Sequence, residues 1–417
     1  MSTKSDSSQD NRVLFVGYLF PDWLESKILE QEISPIQTQR FGLALLDALI
    51  LGFDNRVEVF SVAPLLDYPH SHLIIAPSAK WKIDDKIAVT MLPFINLVGI
   101  KHFTRFIVTL AFVAWWCLRH AKTKRIIVMH GVQSCKIWGV LIGQVLSPCI
   151  TISFLTDDLG IMQNWENNIF NKLRQFDIYL MKLGLQKVTG VLAMAPKLAE
   201  KLAPDRPSLV VHTIQSPSQT QVANKIKNTN KGSFNILYTG GLSINYGIDL
   251  LLNTFRLANR PEWRLFITGW GDSVNKVRDF SVNNPQVQFL GTVDNKKLAE
   301  LYQLADVLIN PKLTSTSGAW LSFPSKIVEY LSTGKPVVST NLPVFDADFR
   351  QHLIIAQSDT PEELIRCLED VSSWNDQQRE SWRAQTIKFV QEELSPVAQG
   401  TRIRGFVDSL EYKKLTG

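Results

Sequence analysis

Acidic residues are missing from one long block of this chain. Between Asp85 and Asp157 there is no Asp or Glu, yet the block carries Lys86, Lys101, Arg105, Arg119, Lys122, Lys124, Arg125 and Lys136. Cysteine is scarce as well. Cys117, Cys135, Cys149 and Cys367 form no Cys-x-x-Cys pair and have no His at zinc spacing, so they read as reduced thiols and structural zinc is not expected. Residues Met1 to Arg12 are polar and lack the apolar core of an export signal. The longest nearly uncharged apolar run, Phe106–Leu118, is 13 residues, short of the ~20 needed to span a bilayer. The turn after Val13–Val16 holds no Gly-x-Gly-x-x-Gly, which argues against a dinucleotide-dependent dehydrogenase. Apolar runs interrupt the basic residues and no recognised nucleic-acid module is present, so a nucleic-acid partner is not expected.

What remains is a folded composition, with 45% hydrophobic and 20% charged residues over 417 positions. That length predicts two or three domains at roughly 150 residues each. A net charge of +5 is modest, and a mean hydropathy of +0.01 is high for a freely soluble protein. It points to apolar surface beyond the buried cores.

Short β-rich runs alternate with helical stretches along the chain. Strands are expected at Val13–Val16, Val57–Ala63, Ile87–Met91, Arg125–His130, Ile150–Leu155, Gly190–Met194 and Leu209–Thr213. The polar stretch from Gln215 to Ser233 then breaks the pattern and reads as a linker. Alternation restarts with strands at Asn235–Thr239, Arg264–Thr268, Val287–Leu290, Val307–Asn310 and Pro336–Thr340, and after Pro361 the chain reads as helical to its end. This order predicts α/β domains at 1–215 and 234–395, a linker at 216–233, and a helix over 396–417 packing back on the first domain. In such sheets ligands sit beyond the carboxyl ends of the strands, so the loops there are where chemistry is expected.

One such segment is Phe323-Pro324-Ser325-Lys326-Ile327-Val328-Glu329-Tyr330. Pro324 suits a first helical turn, while Gly334 and Pro336 suit its termination, giving a helix over about 324–333. Free N–H groups at its start would favour a phosphate, with Lys326 adding charge. Ser325 and Glu329 share one face, and a carboxylate there can accept two ribose hydroxyls. Taken alone, a short helix with a Lys and a Glu is more often a solvated helix.

The segment resembles the donor-binding region of the retaining GT-B glycosyltransferases of family 4, the group 1 glycosyl transferases, in their bacterial polysaccharide branch. The likeness continues through Asn235-Ile-Leu-Tyr-Thr-Gly-Gly-Leu242 and Tyr246-Gly-Ile-Asp-Leu-Leu251, then Phe266-Ile-Thr-Gly-Trp-Gly271, Val287-Gln-Phe-Leu-Gly-Thr292 and Leu301-Tyr-Gln-Leu-Ala-Asp-Val-Leu-Ile-Asn-Pro311. In the N-terminal half it rests mainly on Val13-Leu-Phe-Val-Gly-Tyr18.

The resemblance implies a GT-B fold: two Rossmann-like α/β domains with parallel sheets facing a central cleft, plus C-terminal helices. It implies a retaining transferase that moves a sugar from a nucleotide-diphosphate sugar to a lipid-linked or other glycan acceptor in surface polysaccharide synthesis. It implies no cofactor and no metal, with domain closure excluding water. Donor-binding roles fall on Gly17, Gly240, Gly241, Tyr246, Ser325, Lys326, Glu329 and the loop Thr314–Gly318, with Thr316, Ser317 and Gly318 singled out. The chain departs from the family pattern at three places. Gly241 and Tyr246 stand where an Arg and a Lys usually hold the diphosphate, and Leu321 stands where a first glutamate is usual.

His130 and Asp157 are the catalytic candidates. His130 ends a strand, where the resemblance suggests a His supporting the reacting sugar; a lone His is as readily a structural hydrogen-bonder. Asp157, with Asp158 beside it, is a candidate for orienting the acceptor hydroxyl or for capping a helix. The acid-free block, with Trp115, Trp116 and Trp138, has the composition of a surface that meets anionic lipid, so a cytoplasmic enzyme peripheral to the inner membrane face is expected. The same block is also compatible with a buried helix. A nucleotide-sugar epimerase, and an inactive homologue that binds lipid or a partner, stand as alternatives.

Overall fold

The computed structural model describes residues 11–24, 36–83, 87–145, 147–159, 168–212, 232–316 and 318–410. They separate into two compact units. The first comprises Met1–Ile214 with Pro396–Gly417, and the second Gln215–Ser395. The polar stretch read as a linker lies almost wholly outside the described residues.

The first unit is built on an eight-stranded sheet. Its strands are β1 (Asn11–Gly17), β2 (Val57–Ser61), β4 (Ala79–Ile83), β5 (Ile87–Met91), β7 (Lys124–His130), β8 (Ile150–Leu155), β9 (Gly190–Ala193) and β10 (Ser208–Val210), in the order β10-β9-β8-β7-β1-β2-β5-β4. Two short strands, β3 (Ile75–Ala76) and β6 (Phe94–Ile95), pair separately. All neighbours in the large sheet are parallel except β4, which runs antiparallel to β5 at the edge. Sequence reading missed β4: its half-buried alternation over Ala-Lys-Trp-Lys-Ile is the pattern of a one-sided edge strand. The central strands β1, β7 and β8 are buried almost throughout, as strands covered on both faces must be.

The helix Ile100–Arg119 packs on the helix Ser134–Gly143, and that in turn on Asn168–Leu185. Gly139 and Gly143 allow the first approach. A Cβ at Gly139 would fall 2.8 Å from Thr109 Cβ, and one at Gly143 2.9 Å from the Leu110 carbonyl oxygen. The last helix, Pro396–Ser409, packs on Ile36–Gly52, with Arg404 bonding the Gly52 carbonyl oxygen at 3.1 Å.

The second unit has a six-stranded, wholly parallel sheet. Its strands are β11 (Phe234–Gly241), β12 (Trp263–Trp270), β13 (Val287–Phe289), β14 (Val307–Asn310), β15 (Val337–Thr340) and β16 (Ile354–Ala356), in the order β13-β12-β11-β14-β15-β16. Five follow the alternation read from the sequence; β16 is too short to have shown it. The core joins Ile236, Trp263, Leu265, Ile267 and Val307 to Leu251, Leu364 and Leu368. Helix starts are capped as composition demands. Asp294 accepts from Lys297 N, Thr360 caps Pro361–Ser373, and Asn375 with Gln378 makes a capping box for Asp376–Phe389.

Candidate functional site: two sets of strand ends

In the second unit the carboxyl ends of β11, β12 and β14 carry the motif residues. Gly240 and Gly241 pair in register with Gly269 and Trp270. After β11 the chain makes one tight turn, Ile244–Tyr246, and enters the helix Ile248–Ala258 through Gly247 at φ 77°. No other residue fits there, because any Cβ would overlap the Pro311 carbonyl oxygen. Tyr246 folds back over Gly241, so that a Cβ at 241 would meet its ring at 2.7 Å. The two positions where the family carries a basic pair are thus filled by one aromatic ring packed on one glycine.

Three tyrosines fix the next layer. The Tyr330 hydroxyl accepts from Thr239 N at 2.8 Å and donates to Thr239 O at 2.9 Å, locking a helix side chain to the end of β11. The Tyr302 hydroxyl donates to Glu329 Oε1 at 2.8 Å. Lys326 Nζ donates to Glu329 Oε2 at 2.7 Å. Burial pushes all three phenols Tyr238, Tyr302 and Tyr330 above their usual range, so they remain hydrogen-bond donors at any physiological pH.

Several expectations change here. The helix read over 324–333 spans only Lys326–Leu331, and Ser325 makes no side-chain cap. Six residues are too few for a strong axial dipole, so phosphate binding at this place has to rest on Lys326. Lys326 and Glu329, assigned separate roles in sequence, hold one another at 2.7 Å. Of the three hydroxyls described in the loop Thr314–Gly318, those of Thr314 and Thr316 are already used, while Ser315 is exposed. Thr314 donates to Asp359 Oδ2 at 2.9 Å, and Thr316 to the Leu313 carbonyl oxygen at 3.1 Å. Gly318 opens onto free space, and Ser317 lies outside the described residues. Leu321 is half-buried and places no polar group in the site.

In the first unit the corresponding edge is formed by β1, β2, β7 and β8. Gly17 ends β1, and the Ser61 hydroxyl pins the turn after it by accepting from Leu19 N at 2.7 Å. His130 ends β7, buried between Phe15, Tyr18 and Phe154. Burial, reinforced by the nearby Lys136 charge, holds its imidazole down to about 3. It is therefore neutral at pH 7, suited to hydrogen bonding rather than to shuttling protons. Its Nδ1 is buried without a partner. Of the two aspartates after β8, Asp158 is tied to Lys201 at 2.7 Å and Asp157 is exposed.

Sequence reading overlooked what surrounds His130. Lys136, in the first turn of Ser134–Gly143, donates to the His130 carbonyl oxygen and lies 4.0 Å from the centre of the Tyr18 ring. Arg105 donates to the Ala63 carbonyl oxygen at 2.6 Å and lies 4.4 Å over Phe94. Lys101 pairs with Asp67 at 2.7 Å. All three cations are buried. A signal was present: Lys101, Arg105 and Thr109 recur every four residues, which puts them on one helix face. Among the described residues no three His, Cys, Asp or Glu side chains converge as a metal site would require.

Comparison with known proteins agrees with this organisation. Residues 233–373 match the family model described as Glycosyl transferases group 1, and this part of the chain belongs to that family. A 138-residue stretch is 31% identical to an uncharacterized 41.2 kDa protein in the cps region of Klebsiella pneumoniae, covering 32% of this chain and 36% of that one. An 86-residue stretch is 35% identical to the putative teichuronic acid biosynthesis glycosyltransferase TuaH of Bacillus subtilis, covering 20% of this chain and 21% of that one. The chain thus matches about a third and a fifth of these relatives' length. Across 96% of the chain the backbone is similar to all of Anabaena HepE, solved in complex with UDP, with a TM-score of 0.58 and 15% identity. That likeness shows the GT-B fold.

Proposed function

We propose that the protein transfers a sugar, with retention of configuration, from a nucleotide-diphosphate sugar to a lipid-linked glycan acceptor in the making of a surface polysaccharide. The observation that carries this is Glu329. It stands inside the matched family segment, held by Tyr302 and Lys326 beside the end of β11, with both oxygens oriented before any ligand arrives. A carboxylate fixed in this way can take the two hydroxyls of a ribose by charge-assisted hydrogen bonds. Lys326 would turn from Glu329 to the diphosphate and offset the charge that develops on the leaving group. With no basic residues at 241 and 246, Lys326 carries this task alone. Gly17, Gly240, Gly241, Tyr246, Thr316, Ser317, Gly318 and Ser325 are the remaining donor-side residues of the proposal. Asp157 would orient the acceptor hydroxyl, and neutral His130 would support the reacting sugar by a hydrogen bond. The reaction as read needs neither metal nor cofactor.

A membrane-facing role rests on the helices of the first unit. Phe103, Ile107, Trp115 and Leu118 are exposed on Ile100–Arg119, Ile142 on the next helix, and Leu173, Phe176 and Tyr179 on Asn168–Leu185. Arg119, Lys172 and Lys182 lie on the same helices. Apolar side chains fringed by cations suit the headgroup layer of an anionic bilayer on the cytoplasmic side. Among the described residues no helix is long and apolar enough to cross a membrane.

The test is release of nucleoside diphosphate from a panel of UDP- and GDP-sugars, with and without lipid extract in vesicles. Release that depends on the extract is expected. Release without acceptor would favour an epimerase-like or hydrolytic reaction, and no release with any sugar would favour the inactive homologue.

A further inference from the structure

The helix Ile100–Arg119 is apolar on its outer face and cationic on its inner one. Phe103, Ile107, Trp115 and Leu118 are exposed while Lys101, Arg105 and Thr109 are buried. Burying a cation is costly unless an anion meets it. Asp67 meets Lys101. Among the described residues no carboxylate pairs with Arg105 or Lys136, which are 4% and 2% exposed. They contact carbonyl oxygens and aromatic faces. The acids nearest the group are otherwise engaged, Asp67 by Lys101 and Asp177 by the Ser134 hydroxyl.

Unspent donors surround these two cations. Among the described residues Arg105 Nε, which is buried, has no partner. The buried Tyr18 hydroxyl has none among them either, and lies within electrostatic range of Arg105 and Cys135. The ten-residue helix Ser134–Gly143 begins without a side-chain cap and without an acid in its first turn. The N–H of Lys136 bonds the Gln133 carbonyl oxygen at 3.1 Å, which leaves those of Ser134 and Cys135 to face an anion. Gly131, at φ 73°, keeps the chain between β7 and this helix slim, and a Cβ there would lie 3.9 Å from Lys136 Nζ. Tyr18 follows β1, the Ala63 carbonyl that holds Arg105 follows β2, and Lys136 follows β7. The three strands are adjacent, so the group gathers at their carboxyl ends, the place where α/β sheets bind ligands.

We propose that Arg105, Lys136, the Tyr18 hydroxyl and the start of the helix Ser134–Gly143 form a site for the phosphate or diphosphate of a lipid-borne acceptor. This rests on the acceptor side of the function proposed above and names the acceptor's chemistry. The lipid source follows from the same helix, whose outer face is the exposed apolar one. A lipid seated along that face would carry its phosphate towards the inner cations.

The experiment uses the full chain saturated with UDP, so that the donor side is occupied, and measures binding of inorganic pyrophosphate and of farnesyl diphosphate by calorimetry. Both should bind, farnesyl diphosphate more tightly. Lys136→Gln and Arg105→Gln should each weaken both by about tenfold, the scale of one charge-assisted hydrogen bond. UDP affinity, measured separately, should not change. Tyr18→Phe removes only the unpartnered hydroxyl, leaves the packing intact, and should weaken both ligands about threefold. Unchanged binding in a folded Tyr18→Phe variant together with either charge variant overturns the site. Equal affinity for the two ligands overturns the lipid source. Loss of UDP binding in the wild-type protein would count against the donor reading alone, because dependence on Lys136 would still assign the anion site.

Discussion

The two units end their strands in opposite ways. In the second unit the pair at the candidate site is matched and partly exposed: Lys326 and Glu329 satisfy each other on a short helix, while Lys312, just after β14, is buried and bonds the Ser322 carbonyl oxygen. In the first unit three cations are buried together, and among the described residues two of them, Arg105 and Lys136, meet carbonyls and rings rather than a carboxylate. A matched pair costs little while it waits for a ligand. A buried unmatched cation destabilises the fold until an anion arrives. The second unit thus reads as a site built on backbone geometry, and the first as one built on stored electrostatic cost.

The backbone half of that contrast gives the largest expected effect. Gly247→Ala forces a side chain into the left-handed region and against the Pro311 carbonyl, and should cost at least about 3 kcal/mol or abolish soluble expression. Gly131→Ala has the same φ sign in the first unit but only ring contact at 3.4 Å, and should cost about 1 kcal/mol. Urea denaturation of the two variants measures both. Equal losses would mean that the tight backbone approach in the second unit does not matter.

The electrostatic half is tested by Lys136→Met. Burial lowers the Lys136 ammonium from 10.5 to about 7. Between those values the unfolded chain holds a proton that the folded protein gives up, so folding is penalised, and stability rises with pH across that window. The penalty is greatest below pH 7, where it reaches up to about 5 kcal/mol, and it fades as pH approaches 10. Lys136→Met should therefore raise the melting temperature at pH 6.5 and gain less at pH 9.5. Destabilisation at both pH values would show that Tyr18 and the His130 carbonyl already compensate the charge.

Function separates the units by a smaller margin. Glu329→Gln keeps an acceptor for Tyr302 but removes the charge. It should weaken UDP binding by about 10- to 100-fold, from roughly 1.5–3 kcal/mol for charged hydrogen bonds. Calorimetry with UDP reads this directly, and unchanged affinity would remove Glu329 from the ribose.

Most of the fold was legible in the sequence because buried parallel strands write themselves as short apolar runs between polar turns. The motif around Glu329 was legible because its residues are close in sequence. The Lys326–Glu329 bond was hidden in plain view, since residues three apart in a helix face each other. The group around Lys136 was not legible. Tyr18, Ala63, Arg105 and Lys136 are spread over more than a hundred positions and meet only once β1, β2 and β7 are aligned. The contact of the Cys117 and Cys149 sulfurs at 3.4 Å was concealed in the same way. The short antiparallel β4 escaped because it is five residues long and two of them are exposed lysines, which leaves too few apolar positions to stand out as a buried run.

The smallest effect is the most discriminating. Lys326→Met breaks an i,i+3 pair whose lysine is about a third exposed, so stability should fall by less than about 0.5 kcal/mol. Under the proposed donor site, affinity should nevertheless fall, because Gly241 and Tyr246 offer the diphosphate no basic side chain. The opposite holds at Lys136, where removal should stabilise the fold and leave UDP affinity alone. One pair of lysine variants, each measured by melting and by UDP calorimetry, thus sets the two units against each other. If Lys326→Met leaves UDP affinity unchanged, the diphosphate is held by backbone N–H groups alone, and the contrast narrows to one between glycines and buried cations.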